Sequence, residues 1–177
     1  MRLAWLYVIG GLIGLFFSAV LLIEKIELLK DPDYIPSCSL NPVMACGSVM
    51  KSWQAETFAI PNPIIGIAGF AMVLATGAAL LAGARLARWF WLTLFAGTAF
   101  GAAFVTWLAY SSLYDIGMLC PYCMIVWTVT IPMFVLTGAH VLRGFFHDFR
   151  WVLMLFWFGL VLALITVRFW SYWSTLL

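Results

Sequence analysis

Charge is what this chain has least of. Only 9% of its 177 residues are charged, whereas 66% are hydrophobic. A soluble domain carries about a quarter charged residues, so a water-exposed globule is excluded. The mean hydropathy of +1.08 places the chain in a membrane. Nine Lys and Arg against seven Asp and Glu leave a net charge of +2. Membrane topology accounts for that small excess, and nothing in it suggests nucleic-acid binding. Internal repeats and low-complexity tracts are also missing, and cysteine occurs only four times.

The few charges and turn residues split the apolar sequence into five stretches, 5–23, 63–83, 89–110, 122–142 and 151–169. Each is near the ~20 residues a helix needs to cross ~30 Å of hydrocarbon. Backbone groups in lipid must be satisfied within the chain, so an all-α integral membrane protein is predicted, one membrane domain over 1–177. The first stretch starts with Arg2 but exceeds a signal-peptide apolar core, and no small-x-small site precedes Glu24. It is read as a retained span. Gly10-x-x-x-Gly14 and Gly97-x-x-x-Gly101 place small residues one turn apart, which allows close helix packing.

Arg2, the 85–88 turn with two arginines, and the 143–150 turn with Arg143, Arg150, His147 and Asp148 fall on one side. Opposite lie segment 24–62, with five acids against three lysines, and segment 111–119, whose only charge is Asp115. Basic loops stay cytoplasmic, so the N-terminus is expected inside and all four cysteines outside. The outside of a bacterial inner membrane, or an organelle lumen, is where thiols are oxidised. Five spans put the C-terminus outside too, where Trp170, Tyr172 and Trp173 suit an interfacial belt and Arg168 can snorkel. His140 and His147 sit near the cytoplasmic face and are given no role. Asp115 reads as an exposed loop acid, with proton relay as its functional alternative.

The cysteines form a spaced pair, Cys38 and Cys46, and a close pair, Cys120-Pro-Tyr-Cys123. Pro121 fits the first position of the fourth span, where a missing N–H costs nothing. Cys120 then lies at or beside the N-cap and Cys123 one turn in, on the same side. Unpaired N–H groups and the positive helix end favour a thiolate there. A lone Cys-x-x-Cys also occurs as half a zinc site or as inert buried thiols. The eight-residue step from Cys38 to Cys46 fits zinc poorly, and no metal ligand is assigned.

Segment 24–62 is too long for a bare turn and too apolar in its second half for a free loop. Asp31-Pro-Asp33 breaks the first helix, and Asn41-Pro42 reads as an N-cap with the first helical residue. Val43, Met44, Met50 and Trp53 would line one side of a short interfacial helix, with Lys51 and Gln54 facing water. Such a lid places Cys46 near the top of the fourth span and Cys38 on a more mobile stretch. The alternative is a solvated loop with a structural disulfide. Pro61-Asn62-Pro63 closes the segment, with Asn62 read as an N-cap that is also able to donate to a quinone carbonyl.

Taken together, Asp33-Tyr34, Cys38, Cys46, Ser52, Asn62, Tyr114-Asp115 and Cys120-Pro-Tyr-Cys123 resemble the vitamin K epoxide reductase family, over residues 5–142. The fifth span matches the extra helix of bacterial homologues. The resemblance implies a four-helix transmembrane bundle around a quinone, plus that fifth helix and an outer lid. It implies that Cys38 meets a reduced, extracytoplasmic thioredoxin-fold partner and that Cys46 forms a transient disulfide with Cys120. Cys123 would lie nearest a quinone of the menaquinone, ubiquinone or vitamin K type. Asn62 matches the residue that binds a quinone oxygen, and Ser52 a polar lid residue near the relay. Where mammalian members carry a second donor, a tyrosine, this chain has Trp127, whose indole N–H can still donate. Many bacterial homologues continue into a thioredoxin-like domain. This sequence ends at Leu177, so a separate partner is expected.

The implied activity is a thiol:quinone oxidoreductase supporting disulfide formation. Each exchange is attack of a thiolate on a disulfide sulfur, and an oxidising partner near about −120 mV needs an acceptor at least as oxidising. A quinone dissolved in the bilayer meets that need. Reduction of vitamin K quinone or epoxide as the main activity, and a zinc-stabilised adaptor without turnover, are the other readings. An unrelated four-helix disulfide-generating oxidase has its close pair in the first outer loop and its spaced pair in the second; here the order is reversed.

Overall fold

The computed structural model describes residues 1–142 and 144–174; Arg143, one of the residues used to orient the chain, and residues 175–177 lie outside that description. The helices in chain order are α1 (Arg2–Lys30), α2 (Cys46–Lys51), α3 (Asn62–Leu81), α4 (Arg88–Ser111), α5 (Pro121–Val141), α6 (Phe145–Arg168) and α7 (Trp170–Trp173). Five of them, α1, α3, α4, α5 and α6, are long and apolar enough to cross a membrane. Two boundaries move outward from the apolar stretches. Helix α1 continues through Glu24–Lys30, since Glu, Lys and Leu propagate a helix in water as well as in lipid. Helix α6 starts at Phe145 rather than 151, with His147 and Asp148 forming its polar first turns.

Helices α1, α3, α4 and α5 make the bundle: α1 packs along α3 and α5, and α5 along α4, while α6 lies against α5. Glycines permit the closest approach. Gly14 faces the Phe70 ring on α3, and Gly11 abuts the Leu74 backbone. Gly97 departs from the expected packing role, because no protein atom comes within 4 Å of where its Cβ would be. It lines a cavity instead. Between α1 and α5 the fully buried Tyr7 hydroxyl meets Thr137 Oγ1 at 2.6 Å, so a polar group inside the bundle is satisfied.

Helix α4 ends in a single π-helical turn, Ser112–Ile116, and Gly117 reverses the chain at φ 70°, a left-handed conformation that glycine adopts without a Cβ clash. Arg168 Nε donates to the Leu113 carbonyl at 3.0 Å, tying the end of α6 to this turn. Arg168 thus holds a backbone carbonyl at the bundle end rather than only reaching for water. The lipid-directed side of α6 carries exposed Leu155, Phe156, Leu162 and Val167.

Gly14→Leu is expected to lower thermal stability by roughly 1–3 kcal/mol or more, the usual cost of overpacking, because Phe70 blocks the added side chain. Gly97→Leu is expected to leave the unfolding midpoint near wild type, since its surroundings are open. Thermal unfolding of both variants in one detergent checks the contrast.

Candidate thiol relay and adjoining cavity

Residues 31–61 fold over the end of the bundle that carries Cys120. Asn41 does not start a helix. Its Oδ1 accepts from the N–H groups of Val43 and Met44, at 3.0 and 2.8 Å, and closes an Asx turn. The chain then stays extended. The Leu119 N–H donates to the Val43 carbonyl at 2.9 Å, and the Ala45 N–H donates to the Leu119 carbonyl at 3.0 Å. This isolated parallel bridge satisfies buried backbone that a helix would otherwise have to satisfy. Helix α2 therefore begins only at Cys46. Val43 packs on Leu113, Leu119, Ile165 and Phe169 rather than on a helix face shared with Met50.

A short 3₁₀ turn, Trp53–Glu56, follows. Its Trp53 ring lies 5.9 Å from that of Trp107, and Phe58 sits beside Phe100 and Phe104, so the lid leans on α4 through aromatic contacts. Gln54 is buried, not water-facing, with its Nε2 at 3.5 Å from Asp115 Oδ2. Lys51 donates to the Pro32 carbonyl at 2.7 Å.

Cys38 and Cys46 form a disulfide, while Cys120 and Cys123 are free. Cys46 Sγ stands 3.2 Å from Cys120 Sγ. A disulfide sulfur carries no proton, so this contact is a thiol against a disulfide, the encounter from which exchange proceeds. Cys120 is the N-cap of α5, and its sulfur accepts from the Cys123 N–H at 3.4 Å. Hydrogen bonding from the Cys123 thiol, helped by the N–H groups of Cys123 and Tyr122 and opposed by burial, holds the Cys120 thiol below its ordinary value. Its thiolate thus persists to lower pH than that of a free cysteine. Cys38, Cys46 and Cys120 also lie within 4.8 Å of one another, but two of these sulfurs are bonded together and offer no thiolate to a metal.

Cys38 is only 2% exposed, and the reason lies one residue earlier. Ser37 gives both its hydroxyl and its N–H to Glu24, a buried carboxylate at the outer end of α1. The Ser37 hydroxyl also lies 3.2 Å from the Tyr122 hydroxyl, between Cys120 and Cys123. Hydrogen bonding to Glu24 is the chief cause holding Tyr34 above the usual phenol value. Next to Glu24, buried Lys25 donates to the Met50 carbonyl at 2.6 Å and pairs with Glu56 at 2.8 Å. Sequence reasoning passed over Glu24, Lys25, Ser37 and Tyr122. The available signal was two adjacent charges directly after a long uncharged run.

Beneath the lid lies a cavity of about 780 Å³. Its outer end is lined by Ser52, Gln54, Asn62, Ser111, Cys123 and Trp127, and it extends inward between α3 and α4 as far as Trp89. Those two helices, though consecutive, hardly touch among the described residues. Asn62 is the first residue of α3 and not its N-cap. Its amide Nδ2 donates to the Gln54 carbonyl at 2.6 Å, and its Oδ1 accepts from the Thr57 N–H at 3.3 Å. Ser52 closes α2 by donating to the Val49 carbonyl at 2.7 Å. Trp127 is 3% exposed. The His140 ring lies 4.2 Å from that of Trp91, tilted against it, at the other end of the bundle.

A disulfide and two free thiols gathered at the mouth of an apolar cavity, within a bundle of membrane-length helices, define a polytopic membrane protein with a redox-capable cysteine cluster at one end. The profile of the Vitamin K epoxide reductase family matches residues 5–138. The chain belongs to that family. Among curated proteins none matches it.

Two outcomes test this geometry. Cys123→Ala is expected to accumulate a Cys46–Cys120 disulfide, found by peptide mapping; Cys120 recovered only as free thiol would contradict it. Glu24→Ala is expected to speed reduction of Cys38–Cys46 by dithiothreitol at least about tenfold, since hydrogen bonds to a charged group contribute about 1.5–3 kcal/mol. Quenched alkylation followed by mass spectrometry reads that rate.

Proposed function

We propose that the chain is a thiol:quinone oxidoreductase that reoxidises a thioredoxin-fold partner outside the cytoplasm of a bacterial cell, in support of disulfide formation. The carrying observation is the 3.2 Å contact of Cys46 with Cys120 at the mouth of a cavity that Cys123 lines. Family membership supports oxidoreductase chemistry in the membrane.

In this reading a partner thiolate attacks Cys38; the Cys38–Cys46 bond breaks as the mixed disulfide forms, and Cys46 leaves as thiolate. The partner's second thiol resolves the mixed disulfide, which oxidises the partner and leaves Cys38 reduced. Cys46 then attacks Cys120 of an inner disulfide, releasing Cys123. Attack of Cys38 on Cys46 frees Cys120 and restores the lid disulfide. Two electrons and two protons have moved from the partner to Cys120 and Cys123. A lid disulfide beside two free inner thiols corresponds to the state after that transfer. Because the Glu24–Ser37 anchor covers Cys38, the lid segment must loosen before a partner docks.

The cavity fits a quinone. It is apolar along most of its length, as a prenylated ring requires, with polar side chains gathered at the thiol end. Asn62, Trp127 and Ser52 are the residues assigned to hold the ring. Asn62 also ties α3 to the lid through Gln54 and Thr57, so ring and lid share one amide. A bound quinone supplies the acceptor for the electrons and protons that return Cys120 and Cys123 to a disulfide. The arginines of the 85–88 turn, on the face opposite the cysteines, favour a cytoplasmic N-terminus.

Reconstitution in lipid nanodiscs with a reduced thioredoxin-fold protein and ubiquinone or menaquinone tests the activity. One quinone reduced per partner disulfide formed is expected, followed by quinone absorbance, and Cys38→Ser is expected to abolish both. No absorbance change with either quinone would overturn the reading.

A further inference from the structure

Among the described residues, one buried side-chain oxygen lacks any hydrogen bond, Ser111 Oγ. Ser111 is the last residue of α4, 1% exposed, and lines the outer end of the cavity. The contrast with its neighbours is chemical. All eight threonines of α3–α6 donate to a carbonyl three or four residues back. Thr106, little more than a turn earlier, does so to Ala102. Ser111 has the carbonyls of Trp107 and Leu108 at the same offsets and bonds to neither.

A buried hydroxyl without a partner costs free energy, and native proteins leave few of them. The π-helical turn that begins at Ser112 adds a second sign, because such turns gather at functional sites. On α3, across the cavity from α4, the amide of Asn62 is only partly available. Asn62 already spends one donor on Gln54 and its oxygen on Thr57.

We propose that Ser111 is a ligand-binding residue that donates a hydrogen bond to a carbonyl oxygen of the quinone ring, giving α4 a polar contact to complement that of Asn62 from α3. The unmatched oxygen is then the mark of a site completed by its ligand. This assignment rests on the quinone reading of the cavity.

The test is ligand-induced thermal stabilisation and equilibrium binding of the full chain in detergent. Decylubiquinone and menaquinone-4 are the probes, both fully substituted on the ring so that neither adds to a thiol. Wild type is expected to gain stability with at least one of them. Ser111→Ala is expected to match or exceed wild type without quinone, because it removes an unsatisfied group. With quinone its Kd is expected to rise about tenfold, or about 1.4 kcal/mol. Ser111→Thr, which keeps a hydroxyl, and Ser112→Ala are expected to retain most of the affinity. Wild-type Kd in Ser111→Ala, or a loss seen only in Ser112→Ala, overturns the assignment and leaves the quinone reading standing. Absence of any stabilisation of wild type by either probe overturns both.

Discussion

Leu119 exchanges two backbone hydrogen bonds with Val43 and Ala45 across the end of the bundle, and the two cysteines in contact, Cys46 and Cys120, each come next in the chain. Ala45 precedes Cys46, and Leu119 precedes Cys120. Peptide planes so joined leave little freedom in the relative placement of the following residues. The separation of the two sulfurs is therefore set by main-chain geometry, and the side chains need only take ordinary rotamers. The bridge is buried beneath Val43, Leu113 and Leu119, where water cannot compete for its N–H groups.

The lid is held from below by charge. Glu24 grips the segment before Cys38, and Lys25 grips Met50 and Glu56. Both charged groups stand at the end of an apolar helix, where water is scarce and hydrogen bonds to an ion strengthen. The two residues point the opposed charges of α1 at different parts of the same lid. One part carries the disulfide and the other covers the cavity, so the lid is fastened at two separate points.

Composition and hydropathy sufficed for the five spans, because lipid enforces helices wherever charge is missing for long enough. The placement of Cys120 before Pro121 was equally readable, since proline at a helix start is a local rule. Local rules failed where tertiary partners outbid them. Asn41 carries the sequence signature of an N-cap, yet its oxygen closes an Asx turn while Val43 and Ala45 pair with Leu119. Gln54 was assigned to water by helical phase; the 3₁₀ turn changes that phase and buries it beside Asp115. Asn62 bonds backward to Gln54 and Thr57 instead of forward into its own helix. Gly97 sits in the same small-residue spacing as Gly10 and Gly14, but spacing does not reveal whether a neighbouring helix is present. Backbone pairing between distant loops leaves no mark in side-chain patterning, and the bridge at Leu119 was accordingly invisible.

The sparse contact between α3 and α4 leaves the cavity a seam in the bundle wall, at right angles to the face that the lid covers. Under the proposed thiol:quinone activity, thiols would arrive from water along the membrane normal and be met by the lid. A quinone diffusing in the plane of the bilayer would instead enter from the side, between helices that hardly touch. Traffic in one phase would then proceed without opening the door used by the other.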